Sequence, residues 1–149
     1  VLRDVPFETF IAKLPECRKQ CGDRAVLRAF HIYADNDRVA KQVTALREGD
    51  FTTFLNLVGE SGQSSWEYLQ NVIPAGYKEH QEVAVTIAAA KHFLGGKGAV
   101  RVHGGGFAGT VQAFVPGELL AGFKANMEAI LGEGRCHVLS IRPEGGAVL

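Results

Sequence analysis

The stretch Gly104-Gly105-Gly106-Phe107-Ala108-Gly109 constrains the fold of this chain more than any other segment. It lies between two runs, Ala99–His103 and Thr110–Val115, whose side chains alternate. Val100 and Val102 alternate with Arg101 and His103; Val111, Ala113 and Val115 alternate with Thr110, Gln112 and Phe114. A period of two on both sides of a glycine loop predicts two adjacent strands. A tight hairpin needs only one or two glycines to supply positive φ. The surplus leaves two readings open on the residues alone. One is a plain connection; in the other, bare main chain approaches a ligand or another loop with no side chain in the way.

Most of the remaining chain has helical spacing. Val5, Phe7, Phe10, Ile11 and Leu14 predict a first helix closed by Pro15. Asp23 is a candidate N-cap for a long helix ending near Glu48-Gly49. Its apolar stripe comprises Val26, Leu27, Phe30, Tyr33, Ala34, Val39, Val43 and Leu46. Asp50 is placed to cap the next helix, with Phe51, Phe54, Leu55 and Val58 inward and an end around Gly59 to Gly62. Ser61–Ser65 reads as a polar turn, and Trp66–Ile73 as one helical turn or an edge strand. A further helix is expected from about Tyr77 to Leu94, stopped by Gly95-Gly96. Helix Glu118–Leu131 follows the hairpin. Cys136–Arg142 reads as a last strand with His137, Leu139 and Ile141 on one face, and Gly145–Leu149 as a short edge strand. This order implies one α+β domain over residues 1–149, with helices packed on one face of a small antiparallel sheet.

With 149 residues, 46% of them hydrophobic, the chain is long enough for one real core. Lysine plus arginine balances aspartate plus glutamate at 16 each, which gives no electrostatic reason to seek nucleic acid or an anionic membrane. No apolar run reaches the ~18 residues of a membrane span. The opening Val1-Leu2-Arg3-Asp4 has no start methionine and no signal-peptide pattern, as expected of a piece of a longer protein or of a processed chain. Three cysteines, Cys17, Cys21 and Cys136, argue against a disulfide framework. They are expected to be buried or half-buried thiols in a reducing cytosol, and no partner at finger spacing completes a zinc site.

Several constellations along the chain carry chemical possibilities. Gly104, Gly106 and Gly109 match G-x-G-x-x-G by spacing, but a dinucleotide site needs a helix to start inside the motif. Here Thr110-Val111-Gln112-Ala113-Phe114-Val115 follows, which is strand chemistry. A Walker A loop fails for want of Gly-Lys-Ser/Thr. Arg28, His31, Asp35 and Arg38 share one helix face. His31 with Asp35 would make a base and its orienter; the preferred reading is an ion-pair network on the surface or between helices. His80, Glu82 and His103 have no metal-ligand spacing. Ser64 and Ser65 lack the elbow of a hydrolase nucleophile. Trp66, Tyr68 and Tyr77 would suit stacking on a sugar or base, with core or interface packing preferred. No catalytic residue and no metal ligand is assigned to this chain.

The string Arg101–Pro116, built around the glycine loop, resembles the C-terminal glycine motif of galactokinases, within the GHMP small-molecule kinases. Gly104, Gly105, Gly106, Phe107 and Gly109 match that motif. Ala108 stands where the family usually has a further glycine, and His103 where many members have a small polar residue or glycine. Gly22–His31 and Asp35-Asn36-Asp37-Arg38-Val39 look like the family helix with an Arg-Ala, His and Glu-Asn-x-Arg pattern. Ser61–Leu69 resembles its serine-containing turn, so the similarity spans nearly the whole chain.

The resemblance implies a GHMP-kinase C-terminal-type domain, a ferredoxin-like variant, in which Gly104, Gly105, Gly106, Phe107, Ala108 and Gly109 help shape the cleft for nucleotide and sugar. It implies an ATP- and Mg2+-dependent parent enzyme that phosphorylates galactose to galactose 1-phosphate in the cytoplasm. In such an enzyme the phosphate loop, the sugar-binding acids and the acidic residue near the reacting hydroxyl come mainly from an N-terminal domain, and none of those motifs occurs here. The chain is therefore expected to be inactive alone, to pair with that N-terminal kinase domain, and to self-associate through the face carrying the glycine loop. Two alternatives remain at this level: another GHMP kinase acting on a related sugar or small alcohol, and a non-catalytic galactokinase-like sensor.

Overall fold

The computed structural model describes residues 1–107, 109–141 and 143–144. The described part is α+β, mostly helical, with one two-stranded antiparallel sheet. The expected edge strand at Gly145–Leu149 and the end of the expected strand at Arg142 lie outside the described residues.

The N-terminal third is helical in three pieces: α1 (Phe7–Ala12), α2 (Leu14–Cys21) and α3 (Asp23–Glu48). Pro15 does not close the first helix. It occupies the first turn of α2, where its missing N–H would have had no partner anyway. Asp23 is not the N-cap of α3: Gly22 holds that position, with no side-chain cap. The Asp23 carboxylate instead accepts from Arg18 at 2.7 and 3.3 Å, so the residue braces α2 against the start of α3. Gly49, at φ 72°, ends α3 in the left-handed conformation, as expected.

The α3 stripe is only half buried. Val26 is in the core, and Phe30 and Tyr33 pack edge-on against Phe7 and Phe10 of α1. Val39, Val43 and Leu46 are exposed, and Ala45 and His31 are buried in addition. Phe51, expected inward, is also exposed.

Helix α4 (Phe51–Ser64) runs past both glycines that had been expected to end it. Asp50 caps it as expected, accepting from the Thr53 N–H at 3.0 Å. Its buried residues Leu57, Val58, Ser61 and Ser64 keep one helical face through the supposed polar turn. Gly62 explains the continuity. A Cβ there would lie 2.8 Å from the Arg101 Cβ and 3.2 Å from the Val100 carbonyl oxygen, so the glycine permits close packing rather than a break. One π turn, Ser65–Leu69, continues the helix to Gln70. Helix α5 (Glu82–Leu94) starts later than Tyr77, after an irregular segment, and Gly95 caps it.

Strands β1 (Ala99–Val102) and β2 (Val111–Phe114) pair antiparallel, with Ala99 opposite Phe114 and Val102 opposite Val111. The His103 N–H donates to the Thr110 carbonyl at 2.9 Å, which extends the ladder to the expected strand ends. Helix α6 (Leu120–Leu131) follows a single 3-10 turn.

The main core lies between α5, α6 and one face of the sheet. Val83, Ile87, Ala90 and Leu94 of α5 meet Val100 and Val102 of β1, Met127 of α6, and Val72. The other sheet face is covered too. Arg101 and Phe114 share that face by register, Arg101 packs on Gly62, and Phe114 packs edge-on against Phe54 of α4 at 5.4 Å. Helices therefore flank both faces, not one. The cause is that this face carries an aromatic ring and a long apolar stem, both of which gain by leaving water.

The expected strand over Cys136–Arg142 does not form among its described residues. The Gly134 and Cys136 N–H groups donate to the Glu128 carboxylate at 3.1 and 3.4 Å. That carboxylate holds the chain against α6, and Val138, Leu139 and Ile141 are left exposed. The small antiparallel sheet thus has two strands among the described residues, without the last strand expected beside the hairpin.

Candidate functional site

The glycine loop presses its main chain on a neighbour within the same chain. Gly106 packs against Asn71, in the segment after the π turn. A Cβ at Gly106 would overlap the Asn71 carbonyl oxygen and come within 2.8 Å of its Cβ and Cγ. The Phe107 N–H donates to the Asn71 carbonyl at 3.0 Å, and the Asn71 Nδ2 donates to the Gly105 carbonyl at 3.3 Å. Gly106 (φ 76°) is thus a glycine for two reasons, conformation and close approach.

The rest of the loop faces outward. Gly104, Gly105 and Gly109 are exposed with open space beside each Cα, and Phe107 is exposed. Ala108 lies outside the described residues. Two surface grooves lie elsewhere. One runs between α3 and the start of α4, past Lys41, Thr44 and Asp50; the other lies beside Trp66, Lys91 and Arg101. Neither is lined by the glycine loop.

The second constellation on the sequence, Arg28, His31, Asp35 and Arg38, is only partly assembled. Arg28 is exposed and stands outside it. Arg38 Nη1 donates to Asp35 Oδ1 at 2.6 Å, and Ser61 Oγ donates to the same oxygen at 2.6 Å. Arg101 Nη1 donates to Ser61 Oγ, also at 2.6 Å. His31 is buried, with Nδ1 2.9 Å from Ser64 Oγ and Nε2 3.6 Å from Asp35 Oδ2. A carboxylate offers only acceptors. A proton on Nε2 would face Asp35 and leave Nδ1 to accept from the Ser64 hydroxyl. Burial pushes the His31 pKa down, Asp35 opposes this, and Arg38 and Arg101 add to it.

The arrangement is a polar tie between α3, α4 and β1. His31 shares its ring nitrogens with Ser64 and Asp35, and Asp35 is further held by Arg38 and Ser61. His31 and Ser64 are both buried, so no substrate reaches the ring, which supports the ion-pair reading of the sequence. Ser61 and Ser64 were missed because two glycines nearby suggested a turn. The available signal was their register with Leu57 and Val58 on one helical face.

The other candidates stay apart. His80 and Glu82 pair at 3.3 Å on the surface, and His103 is exposed at the mouth of the loop. Trp66, Tyr68 and Tyr77 are exposed rather than core. Ser64 is taken by His31, and Ser65 Oγ is buried without a hydrogen-bond partner among the described residues. Cys17 and Cys136 are half-buried as expected, but Cys21 is exposed. Burial, and then Glu128, pushes the Cys136 thiol up, away from thiolate reactivity. Among the described residues no group of three or more His, Cys, Asp or Glu side chains is placed to hold a metal ion. No described helix is long and apolar enough to cross a membrane.

Comparison with known proteins gives the loop and the helices a context. No family model matches the chain. Over 117 residues, 78% of its length, the chain is 34% identical to a galactokinase of Glaesserella parasuis serovar 5. Over the same length it is 33% identical to a galactokinase of Actinobacillus pleuropneumoniae and 32% identical to one of Mannheimia succiniciproducens. The similarity covers less of the chain than the nearly full length expected from its motifs. The matched region amounts to 28% of each relative's own length, so the chain is similar to part of a galactokinase.

Proposed function

We propose that this chain is the C-terminal domain of an ATP-dependent galactokinase and that the glycine loop forms part of the wall of its substrate cleft. The observation that carries the reading is the similarity to three galactokinases over 117 residues. The exposed main chain at Gly104, Gly105 and Gly109 supports it, because a surface without side chains lets a second domain or a phosphate group come close.

In this reading the reaction transfers the γ-phosphoryl group of ATP to galactose, giving galactose 1-phosphate. Phosphoryl transfer is mostly positioning and electrostatic stabilisation. The groups that cradle the triphosphate, hold Mg2+ and orient the acceptor hydroxyl belong to an N-terminal kinase domain of the same parent, working in the cytoplasm. The described residues of this chain offer no metal-binding cluster, so its contribution is shape: Gly104, Gly105, Gly106, Phe107 and Gly109 close the cleft against that domain. The chain is inactive by itself.

The test is a coupled assay of galactose-dependent ATP turnover on the parent protein and on the isolated chain. Turnover by the parent and none by the chain is the expected result. Sustained turnover by the isolated chain overturns the division of labour. A parent that binds galactose and ATP without turnover overturns the kinase assignment in favour of a sensor.

A further inference from the structure

Asn71 is almost fully buried, yet its side-chain oxygen Oδ1 has no hydrogen-bond partner among the described residues. Leaving a buried amide oxygen unpaired is costly, so its burial here needs a reason. Two contacts tie this residue to the glycine loop: its side-chain Nδ2 donates to the Gly105 carbonyl, and its main-chain carbonyl accepts from the Phe107 N–H. Gly106 fills the space between them.

The backbone on either side of this contact is unusual. Among the described residues, Gln70 (φ 55°) and Phe107 (φ 51°) are the two non-glycine residues with positive φ. One immediately precedes Asn71, and the other is the residue whose N–H Asn71 receives. Left-handed backbone at residues with a Cβ persists only where surrounding contacts over-determine it. The π turn Ser65–Leu69 ends at Gln70, and π turns inside helices are frequent at functional sites. The next residue, Val72, is locked in the main core with Val83 and Ile87. Asn71 thus joins a rigid element to an otherwise outward-facing loop.

We infer that Asn71 is the positioning residue of the glycine loop, holding Gly105–Phe107 in the one conformation that the cleft requires, and acting through the loop without touching substrate. The catalytic half of this inference rests on the galactokinase reading; the structural half, that Asn71 holds the loop, does not. Three variants of the full-length parent separate the two. Asn71→Asp keeps size and shape but replaces the Nδ2 donor with an acceptor facing the Gly105 carbonyl. Asn71→Ala removes the side chain. Gly106→Ala leaves Asn71 intact and wedges the contact apart.

Amide hydrogen exchange of the peptide spanning the loop is read together with kcat, the KM for galactose and the melting temperature. Exchange in the loop is expected to speed up at least tenfold in all three variants. At an assay temperature well below melting, kcat is expected to fall at least tenfold while the KM for galactose changes less than twofold. Unchanged loop exchange in Asn71→Asp and Gly106→Ala overturns the latch. Faster exchange and a lower melting temperature with wild-type kcat mean a merely structural role, and overturn positioning. If the unmodified parent shows no galactose-dependent turnover, the functional reading and the catalytic half fail together, and the exchange measurement still decides the latch.

Discussion

Protonating His31 would add a cation beside Arg38 and Arg101 in a position closed to water. Burial is the main reason its pKa lies below the ordinary histidine value, the two guanidinium groups contribute, and Asp35 only partly offsets them. In the unfolded chain the imidazole titrates near ~6.5. Between that value and the lower folded value the unfolded state binds more protons. Stability is therefore full above pH ~6.5 and is lost as pH falls towards the folded pKa. The expected outcome is a urea midpoint that drops as the pH is lowered from 7 through about 6. His31→Gln should flatten that segment of the profile; an equally steep slope in the variant would place the effect elsewhere. At this scale the sequence showed the histidine, its acid and one arginine in register on a helix. It did not show Ser61, Ser64 or Arg101, because those partners reach α3 only through the packing of α4 and β1.

At the scale of elements, two residues shape α4 in different ways. Asp50 supplies a local cap, and its bonds to the Thr53 hydroxyl and N–H also hold its carboxyl below the usual range. That role was readable from the sequence because a cap depends on residues three positions away. Gly62 looked like a helix stop. Its actual reason is Arg101, nearly forty residues away, whose Cβ occupies the space a side chain would need. Gly62→Ala should raise the helical propensity of α4, yet destabilise the protein by ~1–3 kcal/mol through overpacking against β1. Thermal or urea unfolding checks this: if Gly62→Ala stabilises, propensity outweighs the contact and the close approach of α4 to β1 is not as described. The two helices read most accurately at their C-terminal ends, α3 and α5, stop at glycines in the left-handed conformation, again a local cause.

At the scale of the whole molecule, two apolar clusters share no residue. The main core lies between α5, α6 and the sheet. A separate aromatic cluster, Phe7, Phe10, Phe30 and Tyr33, fastens α1 to α3. Met127→Ala is expected to cost ~2–5 kcal/mol and Phe10→Ala ~3–5 kcal/mol. Because the clusters share no residue, the double variant should lose the sum within about 0.5 kcal/mol. Urea unfolding of the three variants measures this; a strong departure from additivity would mean that the two clusters are coupled through α3 and α4. What the sequence determined by itself was what has a short-range cause: the two strands of the hairpin, the length of α3, the Asp50 cap, and with them the class α+β. The tertiary structure alone decided which side of each element is used. It covered the first half of the α3 stripe, Val26 fully and Leu27, Phe30, Tyr33 and Ala34 in part, left Val39, Val43 and Leu46 in water, put helices on both faces of the sheet, and gave the Glu128 carboxylate the N–H groups of Gly134 and Cys136 where a last strand was expected to begin. It also turned Gly106 towards Asn71. Spacing reports which faces an element has, but burial and hydrogen-bond partners are set by segments distant in sequence, and no local pattern encodes those.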